Sequence, residues 1–158
     1  PVFELADQDG KLIPSSTLLA RPALLVFYRG NWCPFCVAQI KEISAQYNEL
    51  ERLGVSVLFV SPQSPKEQAK LGKMFDCNVQ FLRDVDNNAA TVLGIKHEFA
   101  VPAGMQILGY DNDAPLPTLI LTDHQGKVIY KNETDNYRVR PEPEVFIAIA
   151  KRHLSTVD

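Results

Sequence analysis

Two strand-sized apolar runs, set one helix apart, limit what this chain can fold into more than any other feature. Ala23-Leu24-Leu25-Val26-Phe27-Tyr28 is continuous, and Val55-Ser56-Val57-Leu58-Phe59-Val60 is broken only by Ser56. Such runs mark strands covered on both faces. Between them Cys36, Ile40, Ile43, Tyr47 and Leu50 recur at helical spacing. That stripe predicts a helix over 34–53 with one face on the core, ended by Gly54. A buried strand, a helix and a second buried strand join readily as a parallel pair with a crossover.

The flanking segments extend this unit. Phe3-Glu4-Leu5 and Lys11-Leu12-Ile13 surround the turn Asp7-Gln8-Asp9-Gly10, an N-terminal β-hairpin. Ser64, Pro65 and Glu67 are a helix-start signature, and the helix should reach about Phe75. Val79-Gln80-Phe81-Leu82 reads as a short strand, and 87–93 as a short helix stopped by Gly94. Residues 95–115, with Pro102, Gly104, Gly109 and Pro115, have no clean period and read as a long loop. Thr118-Leu119-Ile120-Leu121-Thr122 and Lys127-Val128-Ile129-Tyr130 form a hairpin around Asp123-His124-Gln125-Gly126. A last helix starts near Pro141 and ends at Lys151, Arg152 and His153. The prediction is one α/β domain over 1–158, with a central mixed β-sheet flanked by helices.

Composition removes several function classes. A net charge of −3, with lysine and arginine scattered, leaves no basic face for nucleic acid or a membrane surface. No apolar stretch approaches the roughly 18 residues that would span a bilayer. Three cysteines in 158 residues are no disulfide scaffold, so a reducing, cytoplasmic setting is expected. The sequence begins at Pro1 rather than Met, so a removed leader stays open.

The chemistry concentrates at Cys33-Pro34-Phe35-Cys36. The first apolar strand and the turn Arg29-Gly30-Asn31-Trp32 lead into it, and Pro34 suits the first helical position. Cys33 would then sit at the helix N-cap, where unpaired amides and the positive helix end favour a thiolate. Cys36, one turn on, can resolve a mixed disulfide. Trp32 and Phe35 would form an apolar collar, and Arg29 could add positive charge or polarise a peroxide oxygen. A CxxC is also half of a zinc site, but zinc commonly takes about four ligands. Cys77, His97, His124 and His153 are single and widely spaced, so no metal or other cofactor is expected. Cys77 reads as a core residue, His97 as a loop residue, and Tyr110 with Asp111 to Asp113 as a pocket edge.

Phe27-Tyr28-Arg29-Gly30-Asn31-Trp32-Cys33-Pro34-Phe35-Cys36 resembles the FYRGxWCPxC signature of peroxiredoxin-like proteins in the AhpC/TSA branch of the thioredoxin superfamily. The resemblance continues through Val60-Ser61-Pro62-Gln63, Phe81-Leu82-Arg83-Asp84, the run Leu116 to Asp123, and Arg140-Pro141-Glu142-Pro143-Glu144. It implies a thioredoxin-like fold and antioxidant reduction of peroxides through a Cys33–Cys36 dithiol/disulfide cycle. A thiol reductant such as thioredoxin, glutaredoxin or glutathione would complete that cycle. It also implies a homodimer, although no patch in the sequence marks the interface.

Two alignments of the motif compete. The peroxiredoxin pattern PxxxTxxC places Cys36 as the attacking sulfur, with Arg29 in place of its proline and Cys33 in place of its threonine. The thioredoxin pattern WCxxC makes Cys33 the nucleophile. Leu116-Pro117-Thr118 resembles the thioredoxin turn that faces the cysteines, which implies a cis bond before Pro117. Helix-cap position and the Trp32 neighbour favour Cys33. The competing functions are protein disulfide reduction and a non-catalytic redox-sensing or binding module.

Overall fold

The computed structural model describes residues 2–75, 79–97, 103–104, 113–133 and 142–154. The hairpin strands are β1 (Glu4–Ala6) and β2 (Leu12–Pro14), followed by a single helical turn, α1 (Ser15–Leu18). The crossover unit is β3 (Ala23–Phe27), α2 (Pro34–Ala45), α3 (Tyr47–Arg52) and β4 (Ser56–Ser61). Next come α4 (Pro65–Gly72), β5 (Gln80–Arg83), a 3-10 turn (Val85–Asn87) and α5 (Asn88–Val92). Two short strands, β6 (Lys96–His97) and β7 (Ala114–Pro115), precede the hairpin β8 (Thr118–Thr122) and β9 (Val128–Glu133). Helix α6 (Pro143–Leu154) follows.

The main sheet runs in the order β2-β1-β5-β4-β3-β8-β9. β3, β4 and β5 are parallel neighbours, and the remaining pairings are antiparallel. It is the mixed sheet expected from strand–helix alternation. Side chains divide by strand parity. Leu24, Val26, Val57 and Phe59 pack with Ile40, Ile43, Leu50, Phe146 and Ala150 of α2, α3 and α6. Leu25, Phe27, Leu58 and Val60 pack on the other face with Leu18 of α1 and Ala89 and Ala90 of α5. Two covered faces are why both strands read as apolar runs.

Several boundaries differ from expectation. The helix predicted over 34–53 is two helices, with a tight turn at Gln46 whose N–H reaches back to the Ile43 carbonyl. A strict 3.5-residue stripe drifts around a straight helix, and the bend keeps Leu50 fully buried. Helix α4 stops at Gly72 rather than Phe75, and Phe75 instead packs against Phe81. Helix α6 starts at Pro143, two residues after Pro141. Within 95–115, β6 and β7 pair antiparallel, Lys96 opposite Pro115. Ser64 caps α4 as predicted, its hydroxyl accepting from the Glu67 N–H.

The cis bond implied before Pro117 is not observed: the described residues contain no cis peptide bond. The Leu116 N–H donates to the Ile95 carbonyl and the Thr118 hydroxyl to the Leu116 carbonyl, so the trans chain already meets its partners on both sides of Pro117. Cys77, Pro102, Gly109, Tyr110, Asp111 and Pro141 lie outside the described residues.

Asp84, at the end of β5, is buried and accepts from the Ala89 and Ala90 amides that open α5. Burial raises its pKa above 3.8, the two amides oppose that rise, and the Asp86 charge adds to it. A folded pKa above the unfolded one means that the native state holds the proton more tightly. The group therefore favours folding most below 3.8 and loses that contribution as pH climbs through the higher folded value. Asp84→Asn lacks this titration. Urea midpoints of the variant should gain on those of the wild type as pH rises through this window, and a pH-independent difference would contradict the argument.

Candidate active site

β3 ends where the redox loop begins. The Tyr28 N–H still pairs with the Val60 carbonyl of β4, holding the chain on the sheet. Gly30 then turns it at φ +152°, a value that favours glycine. The Cys33 N–H closes the turn on the Gly30 carbonyl at 3.1 Å. Cys33 takes the N-cap position of α2 with Pro34 at the first turn, as the sequence indicates.

Cys36 lies one turn along α2. The backbone N–H of Arg29 donates to its Sγ at 3.5 Å. A donor aimed at sulfur favours the thiolate over the thiol. Both cysteines are buried, Cys33 at 1% exposure and Cys36 at 0%. They join Tyr28, Val26 and Ile40 in the core cluster on that face of the sheet.

The neighbours are arranged around this pair. The Arg29 guanidinium lies over the Trp32 ring, 4.6 Å from its centroid, a cation–π contact that keeps a positive charge at the loop. Trp32 packs on the core cluster, whereas Phe35 points outward at 38% exposure, so the expected collar is closed on the tryptophan side alone. Pro117 and Thr118 are buried, and Thr118 stands opposite Phe27 in the β3–β8 register. They occupy the sheet end from which the redox loop departs. His97, His124 and His153 are exposed. Among the described residues no three His, Cys, Asp or Glu side chains gather as metal ligands.

Sequence reasoning gave no role to a buried polar group beside the loop. Gln63, fully buried, exchanges hydrogen bonds with Asn31: the Asn31 N–H donates to Oε1 at 3.0 Å, and Nε2 donates to Asn31 Oδ1 at 2.9 Å. Nε2 also donates to the Tyr28 hydroxyl at 2.9 Å. The available signal was a glutamine in the two-residue link between a buried strand and a helix cap.

A mixed sheet in which an interior strand delivers two cysteines to a helix start defines a thioredoxin-like domain of the peroxiredoxin type. The chain belongs to the AhpC/TSA family, whose model matches residues 1–131. It is 24% identical to peroxiredoxin Bcp of Escherichia coli K12 over 153 residues, 97% of this chain and 93% of that protein. To the bcp relative of Haemophilus influenzae it is 30% identical over 95 residues, 60% of this chain and 61% of that protein. The crystal structure of peroxidoxin BcpB from Mycobacterium tuberculosis has the same fold, with TM-score 0.76 and 21% identity over 96% of this chain and 93% of that one. No helix among the described residues is long and apolar enough to cross a membrane.

Proposed function

We propose that this chain reduces peroxides with thiols, Cys36 attacking first and Cys33 resolving. The observation that carries the assignment is the Arg29 N–H, which donates to Cys36 Sγ at 3.5 Å. Cys36 thiolate attacks one peroxide oxygen. The S–O bond forms, the O–O bond breaks, and the leaving oxygen departs as water or an alcohol after taking up a proton. Cys33 then attacks the sulfenic sulfur of Cys36, forming the disulfide and releasing water. An external dithiol, or two monothiols in turn, supplies two electrons and two protons by exchange, restores both cysteines and leaves as a disulfide. Arg29 lends positive charge to the thiolate and to the departing oxygen, with Trp32 stacked beneath its guanidinium. Trp32, Phe35, Pro117 and Thr118 border the substrate approach.

Burial supports peroxide over a protein disulfide as substrate. A small peroxide needs only a narrow approach to a sulfur on a residue that is 0% exposed. A protein disulfide must bring its own S–S bond in line with the attacking sulfur. The reductant is a small or protein thiol of the thioredoxin, glutaredoxin or glutathione class. All of 1–158 is one such domain, acting in the cytoplasm as a homodimer.

The test compares two substrates under one reductant. With dithiothreitol supplied, hydrogen peroxide should be consumed in catalytic excess, while insulin reduction stays at the dithiothreitol background. Insulin reduction without peroxide turnover would replace this reading with that of a disulfide reductase. Formation of the disulfide with neither turnover would indicate a sensing module.

A further inference from the structure

The redox loop is fastened to the sheet by one buried side chain. Gln63 lies one residue beyond β4, after Pro62, and precedes Ser64, the cap of α4, so its backbone is held between a strand end and a helix start. Its amide uses the acceptor and both donor directions: Oε1 takes the Asn31 N–H, and Nε2 serves Asn31 Oδ1 and the Tyr28 hydroxyl. A flipped amide would set its NH₂ against the Asn31 N–H, so these partners impose one orientation. Asn31 is held from its other side as well, because its Nδ2 donates to the Glu67 carbonyl at 2.6 Å and reaches Glu67 Oε2 at 3.4 Å. Glu67 is itself buried and bonded to Lys70.

The two loop residues that Gln63 grips are Tyr28 and Asn31. Between them lies the peptide whose N–H, that of Arg29, donates to Cys36 Sγ. Gly30, next in the chain, has the backbone freedom to let that peptide rotate. Fixing both ends of a short segment that contains a glycine removes this freedom.

We propose that Gln63 is a positioning residue for the redox centre: through Asn31 and Tyr28 it holds the Arg29 N–H on Cys36 Sγ and so keeps that sulfur reactive. The inference rests on Cys36 as the attacking sulfur.

The experiment measures alkylation of Cys36 by iodoacetamide as a function of pH, read by mass spectrometry of the Cys36 peptide. It compares the wild type with Gln63→Leu, Asn31→Ala and the double variant, and circular dichroism checks each fold. In Gln63→Leu the pH midpoint should rise. The rate near neutral pH should fall about tenfold, the equivalent of roughly one pH unit in the midpoint. At high pH, where every form is thiolate, the rates should meet or exceed that of the wild type. Asn31→Ala should move the midpoint in the same direction, and the double variant no further than Gln63→Leu.

Profiles that overlay the wild type in both single variants would overturn the proposal. So would faster alkylation at every pH with an unmoved midpoint, which is what mere loosening produces. If Gln63→Leu fails to fold, Asn31→Ala alone decides between these outcomes. Because alkylation needs no peroxide, a wild type inactive on peroxide would sink the proposed function and leave this result standing.

Discussion

Replacing Cys36 with serine should abolish peroxide turnover, a loss of at least about a thousandfold, because a serine hydroxyl is not ionised at neutral pH and cannot replace a thiolate nucleophile. Replacing Cys33 should have a different effect. Cys33→Ser retains the attacking sulfur and its Arg29 donor. It should consume one equivalent of peroxide per chain, accumulate sulfenic acid on Cys36 and then stall for want of a resolving partner. Rapid-mixing kinetics with a sulfenic-acid trap and peptide mapping distinguish the two variants. A full first turnover in Cys36→Ser with none in Cys33→Ser would reverse the assignment and restore the thioredoxin-like order, which the helix-cap argument had favoured.

Phe59→Ala should be the most damaging change away from the sulfurs. Phe59 is fully buried in the middle of β4 and stacks on Phe81 of β5, with ring centroids 5.3 Å apart. Phenylalanine truncations in cores cost about 3–5 kcal/mol. Against a typical total of about 5–15 kcal/mol, that is a large share. For a chain of this length the melting temperature should fall by on the order of 10 °C, measured by calorimetry. Val128→Ala, at an exposed position of the edge strand β9, should stay within about 0.5 kcal/mol of the wild type. A Phe59→Ala variant melting alongside Val128→Ala would mean that the core had refilled the space.

The fold was legible wherever one local rule governed a segment. β3 and β4 announced themselves because helices cover both faces, leaving no solvent side to demand polar residues. The Ser64 cap could be read because a hydroxyl, a proline and a glutamate have fixed offsets at a helix start. The break at Gln46 could not, since neither glycine nor proline marks it and the bend answers to packing beneath Leu50. The β6–β7 pair was hidden for another reason: two residues are too few for an alternation pattern, and the partners come from opposite ends of a long segment.

The site divides along the same line. Cys33, Cys36 and Arg29 were visible as residue types at set spacings. Which sulfur is favoured depends on where a backbone N–H points, and the sequence does not record that direction. The cation–π contact of Arg29 with Trp32 was equally out of reach, because it depends on the turn at Gly30.

The parallel pairing of β3 with β4 has a consequence for engineering. The two strands finish side by side, so the cysteine loop and the glutamine that grips it arrive together although they come from separate stretches of chain. The decapeptide from Phe27 to Cys36 is therefore not a portable cassette. Transplanted onto another helix start it would bring both sulfurs but leave its fastening behind. A useful graft would have to carry two neighbouring strand ends, in register, as one unit.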